Sequence, residues 1–466
     1  MKQSYKLAVV CGKLGDVDGV SLEVDKWIDV LCDMGHEIYT VSGVYAADLP
    51  RVPAERRLTV PELCFDSDFQ KRIEPVMFPH IVPGNRSNGS SKERKKLMES
   101  LNIIGSDAAE QIHQFILEND IDALIAQNTN AMPMTLVGAM AVYKLSSEYK
   151  TAVIFHHHDF WWERSRFSGN YMEDLLKEIM PPTDPSLEHV VISSYAAHNL
   201  RTIRRVHPHI VPNCEDFSNP PVMDDYNRQF REDLGYSKDD ILFLQPTRIV
   251  PRKRIEDSIY LVSRFQQKYP ELKEHIRFII SLYQGDELDD SYVHGIQKIA
   301  DTEGVELDLI AERVASVRGT DDQGRRLYTN RDVLVNADFV TYLPVWEGFG
   351  NALLETVAAR IPLAVATYLV YKTDIMNRGL DCVEIRDDYD VNGRLLIPDN
   401  SLEQIYQIVT DPAVRAMMTE HSFNAMKKAF GMPVLQEKLK GILESYGDEI
   451  LASRRRLAKK KTTFSV

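Results

Sequence analysis

The sequence predicts an α/β protein built from two doubly wound domains, each with a parallel sheet. The chain has 466 residues, more than one hydrophobic core usually serves, and this fits two domains of about 200 residues each. Short apolar runs alternate with helical patterns along the whole chain, as in parallel doubly wound sheets. Two of these runs also lead through a charged turn into an amphipathic helix, and ligands bind at such strand ends in open α/β sheets.

The apolar runs predict six strands in the first half and five in the second. The first six are Lys6 to Cys11, Glu37 to Ser42, Ala123 to Gln127, Thr151 to His156, His189 to Ser193 and His209 to Pro212. The other five are Ile241 to Gln245, Arg277 to Ser281, Leu307 to Ile310, Ala337 to Leu343 and Leu363 to Ala366. The polar stretch Gly84 to Lys95 is predicted as a mobile loop. Ser218 to Tyr236, rich in Pro, Asn and Asp, is predicted as a linker, which gives domains at 1–217 and 237–432 and a helical segment at 433–466.

Composition excludes several classes of protein. Apolar residues make up 44% and charged residues 27%, which is ordinary for a globular protein. There is no run of 18 apolar residues, so no membrane span is predicted, and the five scattered cysteines favour a reducing cytoplasm. A net charge of −14 argues against a nucleic-acid partner. The basic tail Arg454 to Lys461 is interpreted as a solvated helix end, with contact to anionic lipid as the alternative.

The most informative segment is Glu347-Gly-Phe-Gly-Asn-Ala-Leu-Leu-Glu355, which follows the strand Ala337 to Leu343. Gly348 and Gly350 lie where that strand turns into a helix, and a helix N-terminus offers amides and partial positive charge to an anion. Carboxylates at both ends of the turn suit a ligand that carries hydroxyls as well as phosphates. A nucleotide-sugar has this chemistry, whereas the plain alternative is an ordinary strand-turn-helix with solvated acids.

A second candidate segment is Thr247-Arg-Ile-Val-Pro-Arg-Lys-Arg254, between the strand Ile241 to Gln245 and a predicted helix. Its four cations would repel one another unless an anion or acids lay among them, and a diphosphate would satisfy them. Arg248 and Lys253 have the better positions for such a site. Arg252 and Arg254 are interpreted as surface residues that pair with Glu256 and Asp257.

Together the two segments resemble the retaining glycosyltransferases of glycosyltransferase family 4. Their signature is an acid, a Gly-Phe-Gly turn and a second acid eight residues after the first, preceded by a Gly-Arg-Leu-x-x-x-Lys-Gly loop. In this chain Thr247 and Arg254 stand where that loop usually has glycines. The resemblance implies the GT-B fold, in which two Rossmann-like domains face a central cleft and a final helix returns to the first domain. Ile192 to Tyr195 and Val211 to Asn213 also match the family, although its Asn-Gly-Val-Asp continuation reads Asn213-Cys-Glu-Asp216 here.

The resemblance also implies roles for the second-half residues. Arg248 and Lys253 would bind the donor diphosphate, Glu347 and the glycine turn the sugar hydroxyls, and Glu355 the ribose. The predicted donor-binding set is therefore Arg248, Lys253, Glu347, Gly348, Phe349, Gly350, Asn351 and Glu355. Transfer would retain the anomeric configuration and need neither a cofactor nor a metal.

The first half is expected to bind the acceptor. Gly12 to Gly19 joins the first strand to a predicted helix at Val20 to Met34, and it is neither a Walker loop nor a dinucleotide fingerprint. Gly15, Asp16 and Gly19 are its candidate acceptor residues, and Asp16-Val-Asp18 is interpreted as turn chemistry rather than as a metal motif.

The run His156-His-His-Asp-Phe-Trp-Trp-Glu-Arg-Ser-Arg-Phe167 begins at a strand end. Neighbouring histidines on an extended chain point to opposite faces, so the three cannot share one metal ion. The family resemblance implies that His158, paired with Asp159, contacts the transferred sugar, with His157 as second choice. The catalytic prediction is thus His158, Asp159, Glu347, Arg248 and Lys253. The remaining candidate acceptor residues, Trp162, Arg164 and Arg166, suggest stacking and an acidic acceptor, and core aromatics with surface arginines are the alternative.

Several functions are left open by the sequence. A sugar-nucleotide epimerase, a phosphorylase or a non-catalytic nucleotide-sugar binding protein would also need a phosphate site, whereas an NAD-linked oxidoreductase is excluded because no Gly-x-Gly-x-x-Gly follows a strand. UDP- and GDP-linked donors and a homo-oligomer stay open, and a small soluble acceptor is favoured. The histidine run and Gly19 to Trp27 resemble bacterial enzymes that make the compatible solute mannosylglucosylglycerate, which implies an acceptor such as glucosylglycerate.

Overall fold

The structure is a computed structural model that describes residues 4–16, 19–79, 89–282 and 290–464, with side chains described through Lys459. Contacts divide the chain into two compact units. The first is Met1–Pro212 together with Leu435–Val466, and the second is Asn213–Val434. The functional roles predicted for the two halves stay predictions.

The first unit is built on a seven-stranded parallel sheet with the strand order β3-β2-β1-β4-β5-β6-β7. Its strands are β1 (Lys6–Cys11), β2 (Glu37–Ser42), β3 (Arg57–Thr59), β4 (Ala123–Gln127), β5 (Ala152–His157), β6 (Glu188–Val191) and β7 (His209–Ile210). Its helices are α1 (Gly19–Asp33), α2 (Asp68–Met77), α3 (Ser91–Asn119), α4 (Leu136–Ser147), α5 (Ser165–Ser168), α6 (Glu173–Ile179) and α7 (Ser194–Arg204). This is a doubly wound order, in which the strand sequence reverses at β1 and β4.

The central strands of this sheet are buried throughout because helices cover both faces. Every residue of β4 and β5 is buried, as expected for strands of a covered parallel sheet. Helix α4 is apolar on nearly all sides and correspondingly buried, so its hydrophobic pattern carries little amphipathic signal.

The second unit has a six-stranded parallel sheet with the order β10-β9-β8-β13-β14-β15. Its strands are β8 (Ile241–Gln245), β9 (Ile276–Ile280), β10 (Leu307–Leu309), β13 (Phe339–Tyr342), β14 (Leu363–Ala366) and β15 (Val383–Ile385), and β11 (Gly319–Thr320) and β12 (Arg326–Leu327) form a separate antiparallel pair. Its helices are α8 (Phe230–Asp233), α9 (Ile255–Lys268), α10 (Ser291–Glu303), α11 (Asn330–Leu334), α12 (Asn351–Ala358), α13 (Asp399–Thr410) and α14 (Pro412–Phe430). Helix α9 buries the apolar face that its sequence predicts, including Ile255, Ile259 and Phe265.

The chain ends with α15 (Met432–Ser445) and α16 (Gly447–Phe464), and from Leu435 onwards it belongs to the first unit. Ser453 Oγ accepts a hydrogen bond from the Ala152 amide at 3.0 Å, and Tyr446 donates one to the Ser186 carbonyl at 3.0 Å. Arg454, in the basic tail, forms an ion pair with the buried Asp122. The last helix is therefore held to the first unit by polar contacts with the sheet and its loops.

Three parts of the structure differ from the sequence prediction. The short strands β3, β11, β12 and β15 were not predicted, because two or three residues are too few to show a period. Ser91 to Lys95, predicted as loop, is the first turn of α3, whose N-cap Ser90 accepts a hydrogen bond from the Glu93 amide at 3.2 Å, while residues 84–88 lie outside the described residues. The predicted linker is folded into the second unit, where Phe230 is fully buried.

The five cysteines are free thiols in this structure. Within the described ranges, no helix combines the length and the apolar character that crossing a membrane requires.

Candidate active site

In the second unit, the basic loop after β8 is fixed by a buried polar network. Gln245 ends β8, and its side-chain Nε2 donates to Thr247 Oγ1 at 2.8 Å. Its side-chain Oε1 accepts from Ser258 at 3.0 Å and from Thr341 at 3.1 Å. These bonds tie the end of β8 to α9 and to β13. The start of the loop is thus held by three hydrogen bonds.

The glycine that usually ends this loop is Arg254 here, and the backbone keeps the glycine-like conformation. Arg254 has φ 51° and ψ 51°, in the left-handed region, which costs an L-residue about 1–2 kcal/mol. Its side chain offsets this cost, because the guanidinium donates to the fully buried carboxylate of Asp257 at 2.8 and 3.2 Å. The interpretation of Arg254 as paired with Asp257 is confirmed.

The glycine turn after β13 is shaped by a tyrosine. Gly350 has φ 150°, and a Cβ at this position would lie 2.6 Å from the Tyr368 hydroxyl, so only glycine fits. That hydroxyl donates to the Phe349 carbonyl at 2.5 Å, and the Phe349 ring packs edge-on against Phe430 with centroids 5.3 Å apart. The Phe349 side chain therefore lies in the core, so the donor-binding role predicted for Phe349 falls to its backbone.

The structure brings Lys253 and Glu347 into direct contact. They form an ion pair through Glu347 Oε1, and both side chains are about nine-tenths buried, with exposures of 11% and 10%. Arg252 approaches the other oxygen, with its Nη1 2.9 Å from Oε2. Burial alone would raise the pKa of Glu347, but Arg252 and Lys253 hold it at about 2, so the acid is ionised. Burial lowers the pKa of Lys253, and Glu347 opposes that effect.

The other predicted donor-binding residues differ in their burial and in their contacts. Arg248 lies close enough to Lys253 for its charge to lower the lysine pKa. Asn351 starts α12, and its side chain accepts a hydrogen bond from Asn213 at 2.7 Å. Gly348 lies in the turn, and Glu355 lies half-buried in the second turn of α12.

In the first unit, the loop after β1 is closely packed. Gly15 has φ 73°, and a Cβ there would lie 2.6 Å from the Ala47 carbonyl oxygen. Asp16 forms an ion pair with Lys13, as expected for turn chemistry, and Gly19 starts α1. Val17 and Asp18 lie outside the described residues.

His158 stands at the end of a column of rings. Its ring centroid lies 4.5 Å from that of His156, which stacks on Trp27 of α1 at 4.3 Å. His156 Nδ1 lies 2.7 Å from Gln127 Oε1, which fixes the orientation of that ring. His158 is the outermost of the three rings, at 9% exposure against 1% for His156.

His157 points away from its neighbours and into the core. Its Nε2 lies 3.0 Å from His189 Nδ1, and Phe155 stacks on both imidazoles. Burial and nearby histidines hold the pKa of His157 well below its usual value, and burial lowers that of His189 to about 3. This arrangement does not present His157 alongside His158, because successive strand residues face opposite sides of the sheet.

Asp159 is held from two sides. Arg164 donates to its Oδ2 at 2.8 Å, and Asn128 Nδ2 lies 3.4 Å from its Oδ1. Asn128 also accepts a hydrogen bond from the His158 amide at 3.1 Å, and its own amide donates to the His156 carbonyl at 2.8 Å. Asn128 adopts a left-handed conformation with φ 54° to reach these groups. One side chain from the end of β4 thus positions the turn that carries His158 and Asp159.

The remaining acceptor candidates are partly committed to other contacts. Trp162 stacks on the buried Phe160, with centroids 4.6 Å apart and the rings nearly parallel. Arg166 forms an ion pair with Glu74 of α2. An acidic acceptor would therefore compete with Glu74 for Arg166 and with Asp159 for Arg164.

Sequence reasoning missed two residues of these clusters, Arg252 and Asn128. The interpretation of Arg252 as a surface residue that pairs with Glu256 and Asp257 is wrong, because its guanidinium faces Glu347, 95 positions away, and its neighbours in sequence gave no sign of this. Asn128 follows directly after a buried strand, which was a usable signal. Among the described residues, no group of three or more His, Cys, Asp or Glu side chains is arranged to hold a metal ion.

Known sequences are similar to this chain over almost their full length. The mannosylglucosylglycerate synthase of Thermotoga maritima is 30% identical over 452 residues, which covers 93% of this chain and 98% of that protein. The chain belongs to the mannosylglucosylglycerate synthase family. A second member, from Petrotoga mobilis, is 28% identical over 451 residues and covers 92% of this chain and 98% of its own length. No family model matches the chain.

Solved structures agree on the architecture of this family member. Anabaena HepE in complex with UDP and glucose has a TM-score of 0.59 at 14% identity, with 95% of this chain and 100% of that one covered. A trehalose-6-phosphate synthase has a TM-score of 0.62 at 12% identity, with 94% and 99% covered. At such identities the likeness concerns the fold. The two doubly wound units therefore have the GT-B fold, and with the family assignment the protein is a glycosyltransferase.

Proposed function

We propose that this enzyme transfers a mannosyl group, with retention of configuration, from a nucleoside-diphosphate mannose to a hydroxyl of glucosylglycerate. The observation that carries the proposal is the similarity to the Thermotoga maritima mannosylglucosylglycerate synthase across 98% of that protein. The product would then be mannosylglucosylglycerate. UDP- and GDP-linked donors both fit the proposal.

The donor side of the proposal rests on the charged cluster of the second unit. When the bond between the sugar carbon and the diphosphate breaks, negative charge builds up on the β-phosphate. Arg248, Lys253 and the N-terminus of α12 are the groups proposed to stabilise that charge, and each well-placed donor contributes roughly 3 kcal/mol to lowering such a barrier. Glu347 and the glycine turn would bind the sugar hydroxyls, and Glu355 the ribose.

The acceptor side rests on the first unit. His158 is proposed to contact the transferred sugar, with Asp159 holding the turn that carries it. The glycerate carboxylate is proposed to bind near Arg164 and Arg166, where it would replace one of their present acidic partners. Gly15, Asp16, Gly19 and Trp162 complete the proposed acceptor surface.

The proposed transfer needs no reactant other than the donor and the acceptor. The bond between the sugar carbon and the donor oxygen breaks, a bond to the acceptor oxygen forms on the same face, and the acceptor proton passes to the leaving diphosphate. The cations of the second unit supply the charge stabilisation that a metal ion provides in other transferases, so we expect activity to persist in a chelator.

The test is to incubate the protein with UDP- or GDP-mannose, with and without glucosylglycerate, and to measure released nucleoside diphosphate and product. Release that requires the acceptor supports transfer. Conversion of the donor sugar without any acceptor would instead indicate an epimerase, and a phosphate requirement a phosphorylase. Tight donor binding with no turnover would indicate a binding protein.

A further inference from the structure

Glu347 has two counter-ions rather than the one that its proposed role needs. Lys253 pairs with Oε1, and Arg252 lies 2.9 Å from Oε2, so each carboxylate oxygen faces its own cation. Arg252 is 26% exposed, whereas Lys253 is 11% exposed. The question is why a buried acid keeps both.

The proposed function places two demands on Lys253 that conflict. A buried carboxylate needs a counter-ion, because leaving it unpaired costs several kcal/mol, typically about 3–5. The donor diphosphate also needs Lys253 as a counter-ion. A single ammonium group interacts less strongly with each of two separate anions than with one anion alone. If Lys253 were the sole partner of Glu347, donor binding would have to break the pair.

Arg252 is held in a position where it can neutralise Glu347 in place of Lys253. Its carbonyl accepts a hydrogen bond from the Val345 amide at 3.1 Å, which ties the basic loop to the segment just before Glu347. Pro251 starts the short 3-10 turn that carries Arg252 and Lys253, and the guanidinium lies 5.9 Å from the centroid of the Trp346 ring. The backbone and the side chain of Arg252 are therefore both held against the segment that carries Glu347.

We propose that Arg252 is the permanent counter-ion of Glu347, so that Lys253 can turn from the carboxylate to the diphosphate when the donor binds. Arg252 is thus a positioning residue that acts through Glu347. This inference rests on the proposed function of the donor cluster. It assigns a role to a residue that the family signature leaves without one.

A double-mutant cycle on nucleotide binding separates this role from direct contact with the phosphates. Affinity for GDP and UDP is measured by calorimetry for wild type, Arg252→Met, Glu347→Gln and the double variant. In the wild-type background, Arg252→Met should weaken binding by about 3- to 100-fold, because Lys253 is then retained by Glu347. In the Glu347→Gln background the same change should have little effect. Equal weakening in both backgrounds would mean that Arg252 binds the phosphates itself and would overturn the proposal.

The pH dependence of binding gives a second readout that a structural role would not move. The groups that act on Glu347 are Arg252 and Lys253 from the basic loop, Tyr342 from the end of β13 and Tyr368 after β14. Both tyrosines stay neutral, because burial raises their pKa values well above the usual one. Without Arg252 the pKa of Glu347 should rise by about 1 to 3 units, so acidification should release Lys253 and narrow the affinity gap between Arg252→Met and wild type, and Arg252→Lys should restore the wild-type profile.

The matched control is Arg264→Met, which removes an arginine that pairs with Asp399 on the surface of α9. It should leave affinity and its pH dependence unchanged. A pH profile for folded Arg252→Met that matches wild type would contradict the proposal. Because the cycle measures nucleotide binding, it is decided even if no mannosyl transfer is found, and absent transfer with an intact cycle would refute the proposed function alone.

Discussion

Lys253 and Glu347, 94 residues apart in sequence, form a buried ion pair between the loop after β8 and the turn after β13. The two strands are neighbours in the sheet, so the loops that follow them meet at the same edge. The pair joins the two signature segments of the chain into one cluster. It also gives the buried Lys253 its acidic partner.

Alanine at Lys253 or Glu347 should reduce both activity and stability. Activity should fall by orders of magnitude, because each residue is proposed to act on the donor. Stability should fall by about 3–5 kcal/mol for Glu347→Ala, which leaves the buried Lys253 without its acid, and by less for Lys253→Ala, because Arg252 still faces Glu347. Chemical denaturation and initial rates on the folded fraction separate the two effects.

Arg248→Ala should lose activity with a smaller loss of stability than either of those variants. Arg248 is half-buried, and its charge lowers the pKa of Lys253. Near wild-type turnover in any of the three variants, measured on folded protein, would remove that residue from the proposed site.

Replacing Arg254 by the glycine usual in glycosyltransferase family 4 should destabilise this protein. The left-handed backbone would relax by about 1 kcal/mol, but the fully buried Asp257 would lose its guanidinium partner at a cost of about 3–5 kcal/mol. In an Asp257→Asn background, Arg254→Gly should instead be neutral or stabilising. Urea unfolding of the four proteins checks this, and a stabilising Arg254→Gly in the wild-type background would show that the ion pair contributes nothing.

Asn128→Gly and Asn128→Ala should differ in stability but not in activity loss. Glycine keeps the left-handed backbone and removes only the carboxamide, whereas alanine adds backbone strain of about 1–2 kcal/mol. Both should lower kcat roughly 10- to 100-fold, because the turn that carries His158 and Asp159 loses its anchor. Wild-type kcat in Asn128→Gly would mean that the turn is held by its other contacts.

The first unit should lose stability as the pH falls below about 6.5. Burial holds the pKa of His189 at about 3, whereas histidine in an unfolded chain titrates near 6.5. Between these values the unfolded state binds the extra proton, so acidification costs roughly 1.4 kcal/mol per pH unit for this histidine.

Melting temperatures between pH 7.5 and 5 measure this dependence, and His189→Gln should reduce the acid-induced drop. His209→Gln is the control, because Glu188 raises the pKa of His209 and its contribution has the opposite sign. An unchanged acid-induced drop in His189→Gln would show that the buried pair of His157 and His189 does not set the acid limit.

The sequence predicted the fold well, and it predicted the two charged loops whose residues Lys253 and Glu347 are in contact, because both depend on local patterns. Long apolar strands such as Ile241–Gln245 and the glycine turn around Gly350 carry their signal within a few residues. The GT-B fold and the glycosyltransferase assignment are confirmed. The individual site roles stay predictions.

What the sequence could not predict depends on contacts between distant segments. No residue near Arg252 in sequence indicates that it reaches Glu347. Likewise, no residue near His157 indicates that its Nε2 lies within hydrogen-bond distance of His189 Nδ1. The Phe349 side chain belongs to the motif, yet it packs on Phe430 in the core. Such pairings require the sheet order and register, which residue patterns alone do not specify.

The most direct test of the proposed function is the release of nucleoside diphosphate from GDP- or UDP-mannose by the purified protein, followed with and without glucosylglycerate. The proposal predicts that release requires the acceptor, equals the product formed, and gives a product whose new glycosidic bond keeps the anomeric configuration of the donor. Release at the same rate without acceptor, an inverted product, or no turnover with either donor would contradict it.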